Sequence, residues 1–168
     1  MEIRADNLTS EKVHALLRVH LETIAPTAPA ESRHALDLSG LQRPDLTFWC
    51  MWDNDELAGF GALKKLTPLQ GEVKSMRTAT TYLRRGVAAA LLAHIIKTAQ
   101  ERRYESLHLE TGSMDFFTPA RDFYRSFGFV PSNPFGDYKP DPNSAFMSMD
   151  LGVPPNNSFK PKLLRGSA

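Results

Sequence analysis

Apolar residues recur along this chain with two periods, one of about 3.6 residues and one of two, and stretches of each kind alternate. Val13, Leu16, Leu17 and Leu21 fall at helical spacing between Ser10 and Thr23, with Ser10 as a candidate N-cap. Pro26 and Pro29 break that pattern, and a second short helix is expected over 30–38. The longest helical stripe covers 84–102. There Val87, Ala88, Leu91, Leu92, Ile95, Ile96 and Ala99 share a side, while Lys97, Gln100 and Glu101 fall outside it. Ala120, Phe123, Tyr124 and Phe127 mark a shorter helix over 119–127, with Gly128 placed to end it. Strands are expected over 1–4, 46–52, 56–66, 72–78, 106–110, 129–130 and 145–151. The run 46–52 is apolar on both faces, as in the middle of a sheet. Asp53-Asn54-Asp55 reads as a hairpin turn, and Pro68 with Gly71 as another. Strands followed by alternating helices and strands predict an α+β or α/β fold, a sheet with helices on both faces.

The length, 168 residues, fits one domain with a proper core, here residues 1–151. From Gly152 on there are three prolines, two asparagines and no acidic residue, so 152–168 is expected to be an exposed C-terminal tail. Twenty basic residues against 19 acidic leave a formal charge of +1. No global field draws the chain to nucleic acid or an anionic membrane, so neither is expected as a partner. No apolar run approaches the length of a membrane span, and the N-terminus lacks the pattern of a secretory signal. The lone cysteine, Cys50, can form neither an internal disulfide nor a thiolate metal cluster, which suits a reducing cytoplasm; it reads as a small buried residue. The five histidines have no metal-ligand spacing, so no metal is expected.

Candidate chemistry concentrates where the predicted strand 72–78 gives way to the long helix. A polar loop leads into Leu83-Arg84-Arg85-Gly86-Val87-Ala88. A helix start offers unpaired N–H groups and the positive end of its dipole, which suits a phosphate. Gly86 lets the backbone approach, Ala88 keeps the next turn clear, and Arg84 and Arg85 add charge. The same pattern also fits a plain helix start with two solvated arginines. Neither GxxxxGK[ST] nor GxGxxG occurs, which sets aside the two commonest nucleotide loops.

The segment from Leu83 to Ala88 resembles the [QR]-x-x-G-x-[GA] signature of the GNAT N-acetyltransferase superfamily. Ala120-x-x-x-Tyr124-x-x-x-Gly128-Phe129 is similar to that superfamily's A-x-x-x-Y-x-x-x-G-F segment. Residues 72–77, 134–138 and 141–144 also resemble a bacterial subgroup of small acetyltransferases. The resemblance implies a mixed, mostly antiparallel central sheet. It further implies acetyl-CoA as co-substrate, without a metal, held by Met76, Arg77 and Thr78 and by Arg84, Arg85, Gly86, Val87 and Ala88. Two departures stand out. Leu83 replaces the usual Gln or Arg, and Phe117 stands where many members carry Asn near the pantetheine arm.

The resemblance implies direct attack of an amine on the thioester, with a backbone N–H near 76–78 steadying the oxyanion. Tyr124 is then the candidate general acid for the departing thiolate. Glu72, eleven residues before Leu83, is the candidate base, with Glu110 or water as alternatives. Strict alternation puts Glu72, Lys74, Met76 and Thr78 on one face. Lys74 then either meets substrate or simply neutralises Glu72. His34 and Phe48 are candidate walls of the acceptor pocket. The expected activity is acetyl transfer to a primary amine of a small molecule, in a chain that is compatible with a homodimer. A protein amine as acceptor, or a non-catalytic acyl-CoA sensor on the same fold, are the alternatives.

Overall fold

The computed structural model describes residues 1–152; the expected tail lies outside the described residues apart from Gly152. Seven strands form one sheet: β1 Glu2–Ala5, β2 Leu46–Asp53, β3 Glu56–Thr67, β4 Gln70–Thr78, β5 Ser106–Gly112, β6 Val130–Pro131 and β7 Ser144–Asp150. Helices α1 Glu11–Ile24, α2 Leu38–Leu41, α3 Val87–Glu101 and α4 Thr118–Ser126 complete the described chain, with short 3₁₀ turns between them. The strand order is β1-β2-β3-β4-β5-β7-β6. Only β4 and β5 run parallel, because α3 carries the chain back between them; the other neighbours pair antiparallel.

The sheet has a core on each face. On one, α1 and α2 cover Phe48, Cys50, Phe60 and Ala62 through Val13, Leu17 and Leu41. On the other, α3 and α4 cover Trp49, Leu63, Leu107, Leu109 and Met147, using Leu91, Leu92, Ile95, Tyr124 and their neighbours. The alternation of β2 explains both: Phe48 and Cys50 face α1 while Trp49 and Met51 face α3. Cys50 is fully buried, and burial pushes its thiol well above the usual range, so it packs as an apolar residue.

Several local expectations are corrected. The segment 30–38 is not one helix; a 3₁₀ turn, Ala30–Ser32, precedes the short α2, whose cap is the Asp37 carboxylate accepting from Gly40 N at 3.0 Å. Ser10 occupies the N-cap of α1 in an extended conformation but makes no side-chain capping bond. Gly71 lies within β4, not in a turn. Its missing side chain makes room for Tyr104, whose ring a Cβ there would meet at 2.8 Å. Helix α3 starts at Val87, not Arg84, because Arg84 (φ 61) and Gly86 (φ 81) are left-handed and end in an N-cap at Gly86.

The correction with most consequence is in β4. Lys74 pairs with Ala62 and Arg77 with Phe60, so three steps on β4 match two on β3. The extra residue is a β-bulge around Ser75, which is left-handed at φ 53. A bulge reverses the parity of every later side chain. Glu72, Lys74 and Arg77 therefore share the α1 face, while Met76 turns to the α3 side and packs over Gly61 beside Ile95. Strict alternation had put Met76 and Thr78 with Glu72.

Candidate active site

Strand β4 pairs with β5 only over Gln70–Glu72, opposite Ser106–His108, and the two then splay apart. Beyond Glu72 the β5-facing edge of β4 has no strand partner among the described residues, and the Ser75 bulge sits in that open stretch. A cavity of about 230 Å³ fills the gap. Its walls are β4 from Val73 to Arg77, β5 from Glu110 to Gly112, the end of α1 (His20, Thr23, Ile24), the segment Ser32–Ala35, and Phe117, Ala120 and Tyr124 at α4. The α4 wall is held in place by Arg121. Its Nη1 donates to the carbonyls of Gly112 (2.6 Å) and Met114 (3.0 Å), and its Nη2 to Thr118 Oγ1 (2.9 Å). Phe117 lies directly against Gly112, where no side chain larger than hydrogen fits.

Tyr124 is buried, lines the cavity, and stacks edge-on with Phe123 and Phe129. Burial pushes its phenol well above the ordinary tyrosine range, so it holds its proton at any working pH. Glu110 also lines the cavity. Burial raises its carboxyl above the usual range, while the neighbouring Ser144 hydroxyl and the charges of His34 and Lys74 pull the other way. His20 reaches in from α1 with Nδ1 buried and without a partner among the described residues; burial, aided by the charge of Arg77, lowers its pKa to about 4 and keeps the ring neutral.

Glu72 is placed differently from the expectation that made it the base. It is 1% exposed and is not among the residues lining the cavity. Tyr138 donates its hydroxyl to Glu72 Oε1 at 2.5 Å, and Lys74 Nζ lies 3.3 Å from the same oxygen. Lys74 Nζ also donates to Tyr138 Oη (2.8 Å) and to the carbonyl of His34 (3.1 Å), so its three protons have protein acceptors. Burial and the Glu72 charge drive the Tyr138 phenol far upward, which makes it a donor and not an acid. The His34 ring packs edge-on against Tyr138 at 5.0 Å and lines the cavity. Phe48 sits in the α1-side core against Phe60 and does not reach the cavity. Tyr138 lies in a loop rich in Pro, Asp and Asn whose residues carry no periodicity, so nothing in the sequence placed it over Glu72.

After β4 and a 3₁₀ turn at Thr80–Tyr82, Leu83–Val87 leads into α3. The helix has no side-chain cap, so its first backbone N–H groups are free to meet a ligand. Gly86 is exposed, and a Cβ built on it would meet nothing within 4 Å. Arg84 is exposed. Arg85 stacks over the Tyr82 ring at 4.6 Å and lies 3.9 Å from Asp53, which also accepts from Tyr82 Oη. Leu83, in the place of the usual Gln or Arg, is 56% exposed. Among the described residues no group of three or more His, Cys, Asp or Glu is arranged to hold a metal. No described helix is long and apolar enough to cross a membrane.

Residues 11–129 match the model of the acetyltransferase (GNAT) family. The chain is 52% identical to the uncharacterized N-acetyltransferase YsnE of Bacillus subtilis (strain 168) over 151 residues, 90% of this chain and 100% of that one. Among solved structures it resembles a Klebsiella pneumoniae protein assigned as an acyl-CoA N-acyltransferase. The TM-score is 0.73 at 26% identity, covering 89% of this chain and 97% of the other. It also resembles a Bacillus subtilis acetyltransferase solved with CoA, at TM-score 0.64 and 16% identity over 89% and 97% of the two chains.

Proposed function

The chain belongs to the acetyltransferase (GNAT) family and is an acyltransferase, and we propose that it moves an acetyl group from acetyl-CoA to the primary amine of a small molecule. The observation that carries this reading is the convergence, in one cavity beside the bulge, of a carboxyl with raised pKa and a buried phenol. A structurally similar acetyltransferase binds CoA, and the uncapped, glycine-led turn 84–88 offers the phosphate site such a donor needs.

Glu110 is the base in this proposal. An acceptor amine arrives as an ammonium, and a carboxylate with a raised pKa takes its proton more readily than an ordinary one. Glu72, locked under Tyr138 and paired with Lys74, serves instead to hold Lys74 and the His34 segment in place. Unpaired backbone on the β5-facing edge of 74–78 steadies the oxygen that becomes negative as the amine attacks. Tyr124 returns a proton to the departing sulfur. Its raised pKa does not disqualify it, because the burial that disfavours a phenolate also disfavours the thiolate it protonates.

Purified protein with acetyl-CoA and a panel of primary amines, followed by thiol release, tests the reading. Release should require the amine. Since the Glu110 carboxyl is raised by burial, its basic form appears only above the ordinary range of about 4.3, so kcat/KM should climb with pH along a displaced acid limb. Glu110→Gln should lose about 10²- to 10⁴-fold in rate and lose that limb. Equal thiol release with and without amine, across the panel, would overturn the proposal.

A further inference from the structure

The charges lining the cavity do not balance. Its ionised side chains are Arg33, Lys74, Arg77 and Glu110. Lys74 is neutralised from behind by Glu72, which leaves Glu110 as the one other carboxylate against two guanidinium groups. Among the described residues the arginines in ion pairs are Arg4, Arg43, Arg85 and Arg125, and neither Arg33 nor Arg77 is one of them.

Arg77 is the more informative of the two. It is half-buried, and its Nε is wholly buried with no hydrogen-bond partner among the described residues. Of its donors, only Nη2 has a described acceptor, Thr23 Oγ1 at a long 3.3 Å. Below it the neutral His20 ring supplies no negative charge. A guanidinium whose Nε is taken out of water without an acceptor costs stability unless something completes its fork of donors. The bulge also sets Arg77 apart from the 84–88 turn. It sends the Arg77 side chain to the α1 face with Lys74, whereas the 84–88 turn opens α3 on the opposite face of the sheet.

Resting on the transfer reading above, we propose that the acceptor is an amine that also bears a carboxylate, received by the Arg77 guanidinium with Arg33 on the same wall, so that the enzyme acetylates amino acids or related amino-carboxylic acids. A carboxylate matches a planar guanidinium through two parallel bonds, which gives orientation as well as charge. Held at the Arg77 end, such a molecule has its amine free to reach Glu110 across the cavity. The same two cations disfavour polyamines, which would add positive charge to a site already positive.

The test uses full-length protein and matched probes: α-, β- and γ-amino acids, each beside its own carboxamide. For wild type, kcat/KM should favour the carboxylate over the carboxamide by about 10- to 100-fold, the scale of a charge-assisted pair. Arg77→Gln should bring that ratio close to one, chiefly through KM, and Arg33→Gln, an exposed position that should fold normally, should lower it by a smaller factor. A wild-type ratio near one, or a ratio unchanged in both variants, overturns the proposal. So does Arg77→Gln acting on CoA affinity instead of on the ratio. Thermal shift of the CoA-bound protein with the same probes reads the subsite without turnover. Carboxylate stabilisation present in wild type and absent in Arg77→Gln upholds the subsite even if no amine is acetylated, which would sink only the transfer reading. Brisk turnover of carboxamides and amino acids alike would sink only the subsite.

Discussion

Replacing Gly86 separates the two things the 84–88 turn is asked to do, which are to start a helix in a left-handed conformation and to receive phosphate. Gly86 sits at φ 81 and ψ 6, where any Cβ costs about 1–2 kcal/mol through its own backbone. Nothing lies within 4 Å of that Cβ, so no steric clash adds to the cost. Gly86→Ala and Gly86→Glu should therefore lose stability alike, about 2–8 °C in Tm for a domain of this size. The difference between them is the carboxylate. Placed about 6 Å from each of two pyrophosphate charges, it costs about 1–5 kcal/mol in total as the effective dielectric falls from about 80 to about 20. CoA affinity measured by calorimetry should thus be roughly 10- to several-thousand-fold weaker for Gly86→Glu than for Gly86→Ala. The gap should narrow in concentrated salt, since the screening length drops from about 10 Å at 0.1 M to about 3 Å at 1 M. Pantetheine, which has no pyrophosphate, should not tell the two variants apart. Equal CoA affinities for the alanine and glutamate variants, or a gap that salt leaves untouched, would refute a phosphate site at this turn.

Tyr124→Phe keeps the aromatic packing against Phe123 and Phe129 and removes one hydroxyl, so Tm should hold while turnover falls about 10²-fold or more; an unchanged turnover would make Tyr124 a core residue only. His20 bears on stability instead. Its folded pKa of about 4 lies below the unfolded value of about 6.5, so the unfolded chain binds the extra proton first as pH falls. Its contribution is fully present above pH 6.5 and is lost progressively down to about pH 4, by about 3 kcal/mol at most. Denaturation between pH 4 and 7 should be flatter in His20→Gln, and an identical slope would show that the ring titrates normally in the folded protein.

Much of the architecture was legible because burial imposes a local period. The stripe from Val87 to Ala99 packs on one face of the sheet as a helix of that pattern must, and the alternation of 46–52 divides its side chains between the two cores. That a glycine-bearing turn leads from β4 into α3 was legible for a related reason, since uncapped N–H groups and a positive-φ glycine belong to the chain segment itself. What failed in the reading were the points where the local rule is suspended. One bulged residue at Ser75 leaves no mark in an apolar pattern, yet it reverses the face of Met76 and Arg77.

The division between Glu72 and Glu110 shows the same limit from the side of chemistry. Both are glutamates on neighbouring strands, and their local sequences do not say which one meets solvent-filled space. Tyr138, 66 residues away, covers Glu72 and leaves Glu110 open to the cavity. The sequence by itself determined most of the element types, the two-sided core and the turn that leads into α3, because each depends on residues within a few positions of one another. Only the tertiary structure decided which carboxyl faces the cavity, which cation is already paired and which is not. Charge and proton affinity in a buried site are set by neighbours brought together through space, and here those neighbours come from α1, β4, β5 and the loop before β7.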